Sequence, residues 1–473
     1  MSLAQEMVFP TEERGAPRIG LRLFLLGLAV FSVGVYGLVE DILWIAQPFY
    51  AFAWWGYIFM LDGFCSMKRG SSILTTRRRH FWPMVIWSIT FWYLFEALNL
   101  RYQNWYYVGA FQNLFIGYVF GWFAFGTVLI GMFETYEAVC VLGFWKNWKG
   151  KPRQYAPWVS YAWQGLGLTM LTLSVVFPTY LAPLIWGSLT FIVDPWNYRN
   201  GRRSLLKDLE RRDWGTVARI MFGGLVCGAV WESMNFFAPQ KWIYTVRGLE
   251  NFKLFEMPLL GFLGFPALAL DGMAFYSFLS YVFLGNESWE HPDDLGQKLE
   301  PTPQRPRSLF WKTVPFQLLF WAVTIVFIKQ VNTGSYRMDL TDLPGLSPEM
   351  VQPLEAKGVT RPRHLLIRSK SEAGRQDLEE TLALADPDLD SIIEEAELFT
   401  YKGIGAIHGP MLQSVGITNV RQLEKEDPAE LHQRLVDSCQ ATGERPPRLD
   451  MVRVWVLAAR NRGIVMRAEA GDL

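Results

Sequence analysis

Histidine and cysteine are scarce in this sequence. Only five histidines occur in 473 residues, and the one in or near a long apolar segment is His80. Haem ligation within a membrane calls for an axial ligand such as imidazole at mid-depth, and no histidine lies there. The four cysteines are far apart and form no C-x-x-C pair, so they indicate neither a disulfide framework nor a zinc site. We therefore predict no cofactor and no metal, and leave room only for a bound lipid or carotenoid.

Common enzyme motifs are also missing. The sequence has no Walker A motif, no Rossmann glycine set and no nucleophile elbow in a strand-turn-helix context. The N-terminal segment lacks the short apolar region and cleavage site of a secretory signal peptide. We expect it to lead directly into a first membrane span.

Apolar and aromatic residues dominate what is present. They make up 51% and 15% of the chain, with 21 tryptophans, and they occur in long uncharged runs. This composition predicts a polytopic membrane protein. We predict nine spans, at about 20–39, 43–64, 81–100, 112–133, 157–177, 179–196, 216–238, 257–285 and 308–330.

Basic residues cluster in the loops that follow spans two, four and six. These loops contain Lys68, Arg69, Arg77, Arg78 and Arg79; then Lys146, Lys149, Lys151 and Arg153; then Arg199, Arg202, Arg203, Lys207, Arg211 and Arg212. By the positive-inside rule they face the cytoplasm. We therefore predict a bacterial inner-membrane protein with a cytoplasmic N-terminus and, after nine spans, a periplasmic C-terminal domain.

One motif occurs twice, each time at the end of an apolar run. It reads E-x-x-N followed by W-x-Y, and its residues are Glu96, Asn99, Trp105 and Tyr107, then Glu232, Asn235, Trp242 and Tyr244. Glu and Asn three residues apart share a helix face. One interpretation is a polar pocket between the halves for a proton, an ion or a ligand head group. The other is an interhelical hydrogen-bond clamp with an aromatic belt at the membrane interface.

Further correspondences extend this repeat. Asp62 near the end of span two matches Asp194 near the end of span six. We predict an all-α fold with two parallel four-helix repeats and a ninth span. The predicted domains are a cytoplasmic lead (1–19), repeat one (20–150), repeat two (151–286), a linker with the ninth span (287–334) and a soluble all-α domain (335–473).

Two acidic residues of the second repeat have no acidic counterpart at the matching positions of the first repeat. Glu256 precedes Pro258 at the start of span eight, and Asp271 lies near the middle of that span, where repeat one has Ile116 and Gly131. An acid inside a span is a functional-site hypothesis, so both are catalytic candidates. The structural alternatives are a hydrogen bond from Asp271 to a neighbouring helix and a helix cap by Glu256.

The tail from residue 335 onwards is acidic, with 17 Lys and Arg against 23 Asp and Glu. Gly345 with Gly358-Val359-Thr360, and Gly403 and Gly405 with Gly416-Ile417-Thr418, form a second repeat. This pattern resembles tandem helix-hairpin-helix domains, which implies glycine turns that bind nucleic-acid backbone, with Lys402 placed to assist. Because the tail is acidic, we do not expect nucleic acid to bind, and we expect protein docking instead.

The membrane region resembles an uncharacterised duplicated family of polytopic bacterial membrane proteins. Glu256-Met257-Pro258 also bears a faint resemblance to the helical lycopene cyclases, although their paired acidic motif is absent. We therefore expect an accessory or scaffold subunit that contacts membrane lipids and other subunits of a larger inner-membrane complex. The alternative is an intramembrane enzyme or binder for an isoprenoid, a carotenoid or another lipid, in which a buried acid protonates an alkene. A proton- or ion-coupled transporter is a third possibility.

Overall fold

A computed structural model describes residues 16–246, 253–285, 288–299, 305–331 and 335–461. These residues are mostly helical, which confirms the all-α class at that level, and they also include two short antiparallel strand pairs. Most of the predicted cytoplasmic lead, residues 1–15, lies outside the described residues.

The chain divides into two compact units, each built from three segments. The first, here called the membrane unit because it contains most of the helical residues that are long and apolar enough to cross a membrane, comprises Met1–Tyr102, Val119–Met234 and Leu260–Ile325. The second, here the C-terminal unit, comprises Gln103–Tyr118, Asn235–Leu259 and Val326–Leu473.

Fourteen α-helices precede the tail in the described residues. They are α1 (Ala16–Val39), α2 (Leu43–Ala46), α3 (Phe49–Arg69), α4 (Phe81–Tyr102), α5 (Leu114–Phe125), α6 (Val128–Val141), α7 (Trp158–Val176), α8 (Pro178–Leu181), α9 (Ser188–Arg199), α10 (Leu205–Arg211), α11 (Trp214–Phe237), α12 (Gly264–Leu284), α13 (Arg307–Trp311) and α14 (Val314–Val331).

Seven helical segments in the described part of the chain are long and apolar enough to cross a membrane. They are Pro17–Val39, Phe81–Tyr102, Leu114–Val141, Trp158–Val176, Trp214–Phe237, Leu259–Leu284 and Arg307–Lys329. They correspond to seven of the nine predicted spans. The predicted second span is α3, which contains Asp62 and ends in Lys68 and Arg69. The predicted sixth span is not one helix, because the chain turns through a left-handed Gly187 (φ 91°) before α9 begins.

Glycines allow α1 and α3 to pack at very short range. A Cβ atom on Gly20 would lie 2.9 Å from the carbonyl oxygen of Gly63, and one on Gly27 would lie 2.6 Å from that of Gly56. Residues seven apart fall on one helix face, so these small residues form matching stripes. In lipid the hydrophobic effect does not drive helices together, and apolar helices associate there through close packing at small residues of this kind.

Burial separates inner from outer helices. In the apolar window of α4, 61% of residues are buried, against 17% in α1, α7 and the segment that contains α14. The outer helices expose large apolar side chains, such as Leu25 on α1 and Phe316 on α14. Such surfaces suit contact with lipid or with another apolar helix.

The C-terminal unit begins with two strand pairs. Strand β1 (Trp105–Val108) pairs antiparallel with β2 (Lys241–Tyr244), with Tyr106 opposite Ile243, and β3 (Lys253–Leu254) pairs with β4 (Met257–Pro258). The helices that follow are α15 (Pro348–Ala356), α16 (Pro362–Arg368), α17 (Glu372–Leu382), α18 (Asp386–Thr400), α19 (Gly405–Ser414), α20 (Val420–Leu423), α21 (Pro428–Thr442) and α22 (Leu449–Arg460).

One hydrophobic core joins the strands to the tail helices. Tyr106 and Val108 of β1 and Ile243 of β2 belong to the same buried cluster as Phe399 and Trp455. The predicted domain boundaries place both W-x-Y loops in the membrane repeats and the tail in a domain of its own. The compact unit instead combines the two loops with the tail.

Candidate functional site

The catalytic candidate Asp271 joins two helices of the membrane unit by hydrogen bonds; we call a buried carboxylate with this role a fastener. Its carboxylate accepts bonds from the backbone N–H of Gly187 (2.8 Å), the backbone N–H of Thr190 (2.7 Å) and the Thr190 hydroxyl (2.7 Å). Because α9 begins at Ser188, the side chain caps the N-terminus of that helix, where a negative charge is favoured. The geometry ties α12 to α9 and gives the carboxylate the donors that a buried charge requires.

Asp62 and Asp194 form two further fasteners with matching spacing. Asp62 accepts bonds from the Ser72 hydroxyl (2.7 Å) and the Leu74 backbone N–H (2.8 Å). Asp194 accepts bonds from the backbone N–H groups of Leu205 and Leu206, both at 2.8 Å. In each case a carboxylate on one helix accepts bonds from residues ten to twelve positions further along the chain, in the loop after α3 for Asp62 and at the start of α10 for Asp194.

Glu256, the other catalytic candidate, is a buried ion-pair centre within the C-terminal unit. Its carboxylate lies 3.2 Å from the Lys241 ammonium on β2 and 3.3 Å from the Lys402 ammonium. Burial favours the neutral acid, but Lys241, Lys402 and Lys253 together lower the pKa of Glu256 to about 2. The group is therefore ionised at neutral pH, which makes it unsuitable as a general acid.

The turn at Gly403 and Gly405 is packed inside the C-terminal unit. The backbone oxygen of Lys402 accepts bonds from the Tyr106 hydroxyl (2.8 Å) and the Trp455 indole N–H (3.2 Å). A Cβ atom on Gly403 would overlap the side chain of Val108 in β1. Strand β1 therefore covers the turn on which phosphate binding would depend, and the Lys402 ammonium is paired with Glu256.

The turn at Gly345 already holds an anionic group. Its backbone N–H donates to the Glu395 carboxylate at 2.7 Å, and the second oxygen of Glu395 accepts from the Gln413 amide at 2.6 Å. Glu395 lies on α18, between the two glycine turns in sequence. The chain's own carboxylate thus occupies the amide of the first turn, where a nucleic-acid phosphate would otherwise be expected.

The two copies of the tail repeat share their turn geometry. Val359 N–H bonds to the Leu354 carbonyl and Gly358 N–H to that of Glu355; Ile417 N–H bonds to the Leu412 carbonyl and Gly416 N–H to that of Gln413. Gly358 and Gly416 have left-handed φ angles of 80° and 87°, respectively. This pattern is that of a glycine-ended helix, in which a left-handed residue closes the last turn.

The duplicated E-x-x-N residues are all buried. Glu96 accepts a bond from the Trp92 indole N–H on α4 at 3.0 Å. Asn235 makes two 3.0 Å bonds with the backbone of Trp242, one to its carbonyl oxygen and one from its N–H. Asn235 thus acts as a clamp on its own loop. Asn99 lies on α4 and Glu232 on α11, and both belong to the membrane unit.

The W-x-Y aromatics form strands. Trp105 and Tyr107 lie in β1, and their partners in register are Tyr244 and Trp242 of β2. Trp105 and Trp242 are buried. The aromatic belt at a membrane interface stays a prediction. The strand pair that these residues form depends on pairing between loops more than 130 residues apart, which no local pattern reveals.

Sequence reasoning missed a buried ion cluster in the membrane unit. Arg203 pairs with Asp208 (2.6 Å) and with Glu290 (2.5 Å), and Gln297 donates to Asp208 at 2.5 Å. Burial raises the pKa of Asp208 to about 6, although the Arg203 charge opposes this shift. The basic loops had been interpreted only as topology signals. Within the described residues, no group of three or more His, Cys, Asp or Glu side chains is arranged to hold a metal ion.

In comparisons with known proteins, residues 344–462 match the model of a domain of unknown function (DUF4332). The matched segment contains both glycine turns and the helices from α15 to α22. No similarity to a curated protein or to a solved structure is found.

The Glu256 ion pairs predict an acid-dependent loss of stability. The folded-state pKa of Glu256 is depressed from its ordinary 4.5 to about 2, so its contribution is complete above pH 4.5 and is lost as the pH falls towards 2. Glu256→Gln should destabilise the C-terminal unit by about 3 kcal/mol at neutral pH, because it leaves two lysines without their buried partner. Its stability should converge with that of the wild type near pH 2.

The measurement is denaturant unfolding of the full chain, followed by reaction of the buried Cys439 thiol with a pyridyl disulfide. Asp339→Asn is the control, since the Asp339 carboxylate is half exposed, 3.5 Å from Arg337, and should change stability by less than about 1 kcal/mol. Equal acid sensitivity of wild type and Glu256→Gln would contradict the assignment.

Proposed function

We propose that this protein is an accessory or scaffold subunit of a larger bacterial inner-membrane complex. The observation that carries the proposal is the composite C-terminal unit, in which a β1–β2 pair and the Glu256 ion bridge hold the tail helices to the segments Gln103–Tyr118 and Asn235–Leu259. Tail helices that share one core with two paired strands form a rigid element, which is suited to present a docking surface.

The buried acids support this function over lipid chemistry. An acid that protonates an alkene must carry a proton and face its substrate. Asp271 accepts three hydrogen bonds and Glu256 pairs with two lysines, so both carboxylates stabilise the fold. A bound lipid or carotenoid is compatible with a scaffold and needs neither acid.

The glycine turns support docking to protein over nucleic acid. We infer that the tail is a tandem helix-hairpin-helix domain, because its two copies share turn geometry. Both turns are nevertheless engaged within the unit, by Glu395 and by β1. Acidic side chains such as Glu372, Glu380 and Asp388 are exposed on α17 and α18, which favours a partner with a basic surface.

We infer that the membrane unit contains two parallel four-helix repeats. The fasteners Asp62 and Asp194 have the same spacing, and α1 packs on α3 as α7 packs on α9. Paired strands must lie on one side of a bilayer. The β1–β2 pair therefore requires an even number of crossings between its two strands. The chain between them contains α5–α6, α7, α9 and α11, and the interrupted segment that ends in α9 supplies the crossing that makes this number even.

This orientation predicts different reactivity at two introduced cysteines. With the basic loops in the cytoplasm, Gln440→Cys on the exposed face of α21 should react with a membrane-impermeant maleimide in intact spheroplasts. Lys151→Cys, exposed in the loop after α6, should react only after lysis. The native Cys439 is buried and would not report on sidedness. Reaction at Lys151→Cys alone would reverse the assignment.

The scaffold function predicts a stable assembly in the native membrane. Affinity-tagged full-length protein, extracted from its own host in a mild detergent, should migrate above its monomer mass together with a membrane-protein partner in fixed ratio. Charge reversal of Glu372, Glu380 and Asp388 to Lys should dissociate the partner at moderate ionic strength. Reversal of the exposed Asp293 in the membrane unit is the control and should leave the assembly intact. A monodisperse monomer without partner from native membranes would contradict the proposal.

A further inference from the structure

Glu134 on α6 differs from every fastener described above. Its side chain is fully buried, at 0% exposure. Among the described residues, no N–H or O–H group donates a hydrogen bond to either of its carboxylate oxygens. A buried ionised carboxylate without a donor costs several kcal/mol or more, so the protonation state of this group requires an explanation.

Two other carboxyl groups face Glu134 inside the membrane unit. Asp62 approaches from α3 and Glu137 from one turn further along α6, and both interact with it electrostatically. Asp62 already accepts bonds from Ser72 and Leu74, and Glu137 is paired with the Arg77 guanidinium. The other titratable groups close to this cluster are Tyr57, Cys65 and Arg69.

The different donors of the three carboxyl groups locate the proton. Asp62 and Glu137 have fixed donors that favour the ionised form, whereas Glu134 has none. Two adjacent carboxylates in a low-dielectric site cannot both ionise at low cost. A neutral Glu134 avoids this repulsion, and its O–H can donate to the neighbouring Asp62 carboxylate.

We propose that Glu134 carries a proton at neutral pH and that Asp62, Glu134 and Glu137 form a proton-binding site in the membrane unit. The site is confined to the first half of the chain. In the register that matches Gly131 with Asp271, the positions equivalent to Glu134 and Glu137 are Ala274 and Ser277. Loss of the proton would set two charges against each other across the α3–α6 contact. Binding and release would therefore alter how these helices pack.

This inference is independent of the scaffold function and is tested on the full-length protein in detergent. Dicyclohexylcarbodiimide is an apolar reagent that adds to protonated carboxyl groups and leaves carboxylates unmodified. It should modify Glu134, as located by peptide mass mapping, and the rate should fall about tenfold per pH unit above the midpoint for proton loss. Glu256, which is buried and held in the ionised form by Lys241 and Lys402, is the internal control and should remain unmodified.

Two variants sharpen the test. Glu134→Gln should abolish the modification and remove a protonated-carboxyl C=O band from the infrared spectrum, identified by its shift in D₂O. Asp62→Asn retains Glu134 but removes the neighbouring negative charge. It should therefore shift the midpoint for proton loss to lower pH. The proposal is overturned if Glu134 reacts no faster than Glu256, if Glu134→Gln leaves the infrared band unchanged, or if Asp62→Asn leaves the midpoint unmoved.

Discussion

The structure depends on the need of each buried carboxylate for hydrogen-bond donors or a cation. In a low-dielectric interior, a buried charge without such partners destabilises the fold by far more than a complete pair stabilises it. Asp62, Asp194 and Asp271 meet the requirement with donors from neighbouring segments, mostly backbone N–H groups, and Glu256 meets it with two lysines. Each acid thereby joins segments that are separate in sequence. Glu134 lacks such donors within the described residues, and it is the position at which a proton replaces them.

The same requirement bears on function. Acidic residues in apolar segments suggest catalysis, and glycine turns suggest phosphate binding, when each is considered alone. In the folded chain the acids bind backbone amides, and a glycine-turn amide binds the chain's own acid, as Gly345 does with Glu395. Groups that satisfy one another are poorly placed to react with a substrate. The exposed surface of the described residues includes the apolar side chains of the outer helices and acidic side chains of α17 and α18.

Local patterns were sufficient for some of these features. Apolar runs located the long helices, and glycine spacing located both tail turns. The E-x-x-N and W-x-Y motifs marked Asn235 and Trp242, which do bond to each other. The β1–β2 pair was not predictable, because its strands are joined only through contacts distant in sequence. The Arg203 cluster was missed for the same reason: Glu290 follows it by 87 residues, and a basic loop alone signals only topology.

Amide hydrogen exchange of the full-length protein tests the role of the carboxylates most directly. Amides at Gly187 and Thr190, and at Leu205 and Leu206, should exchange slowly in the wild type. Asp271→Ala should accelerate exchange at the first pair only, and Asp194→Ala at the second pair only, because each carboxylate holds its own N–H groups. Fast exchange at both sites in the wild type, or exchange that neither substitution alters, would contradict the account.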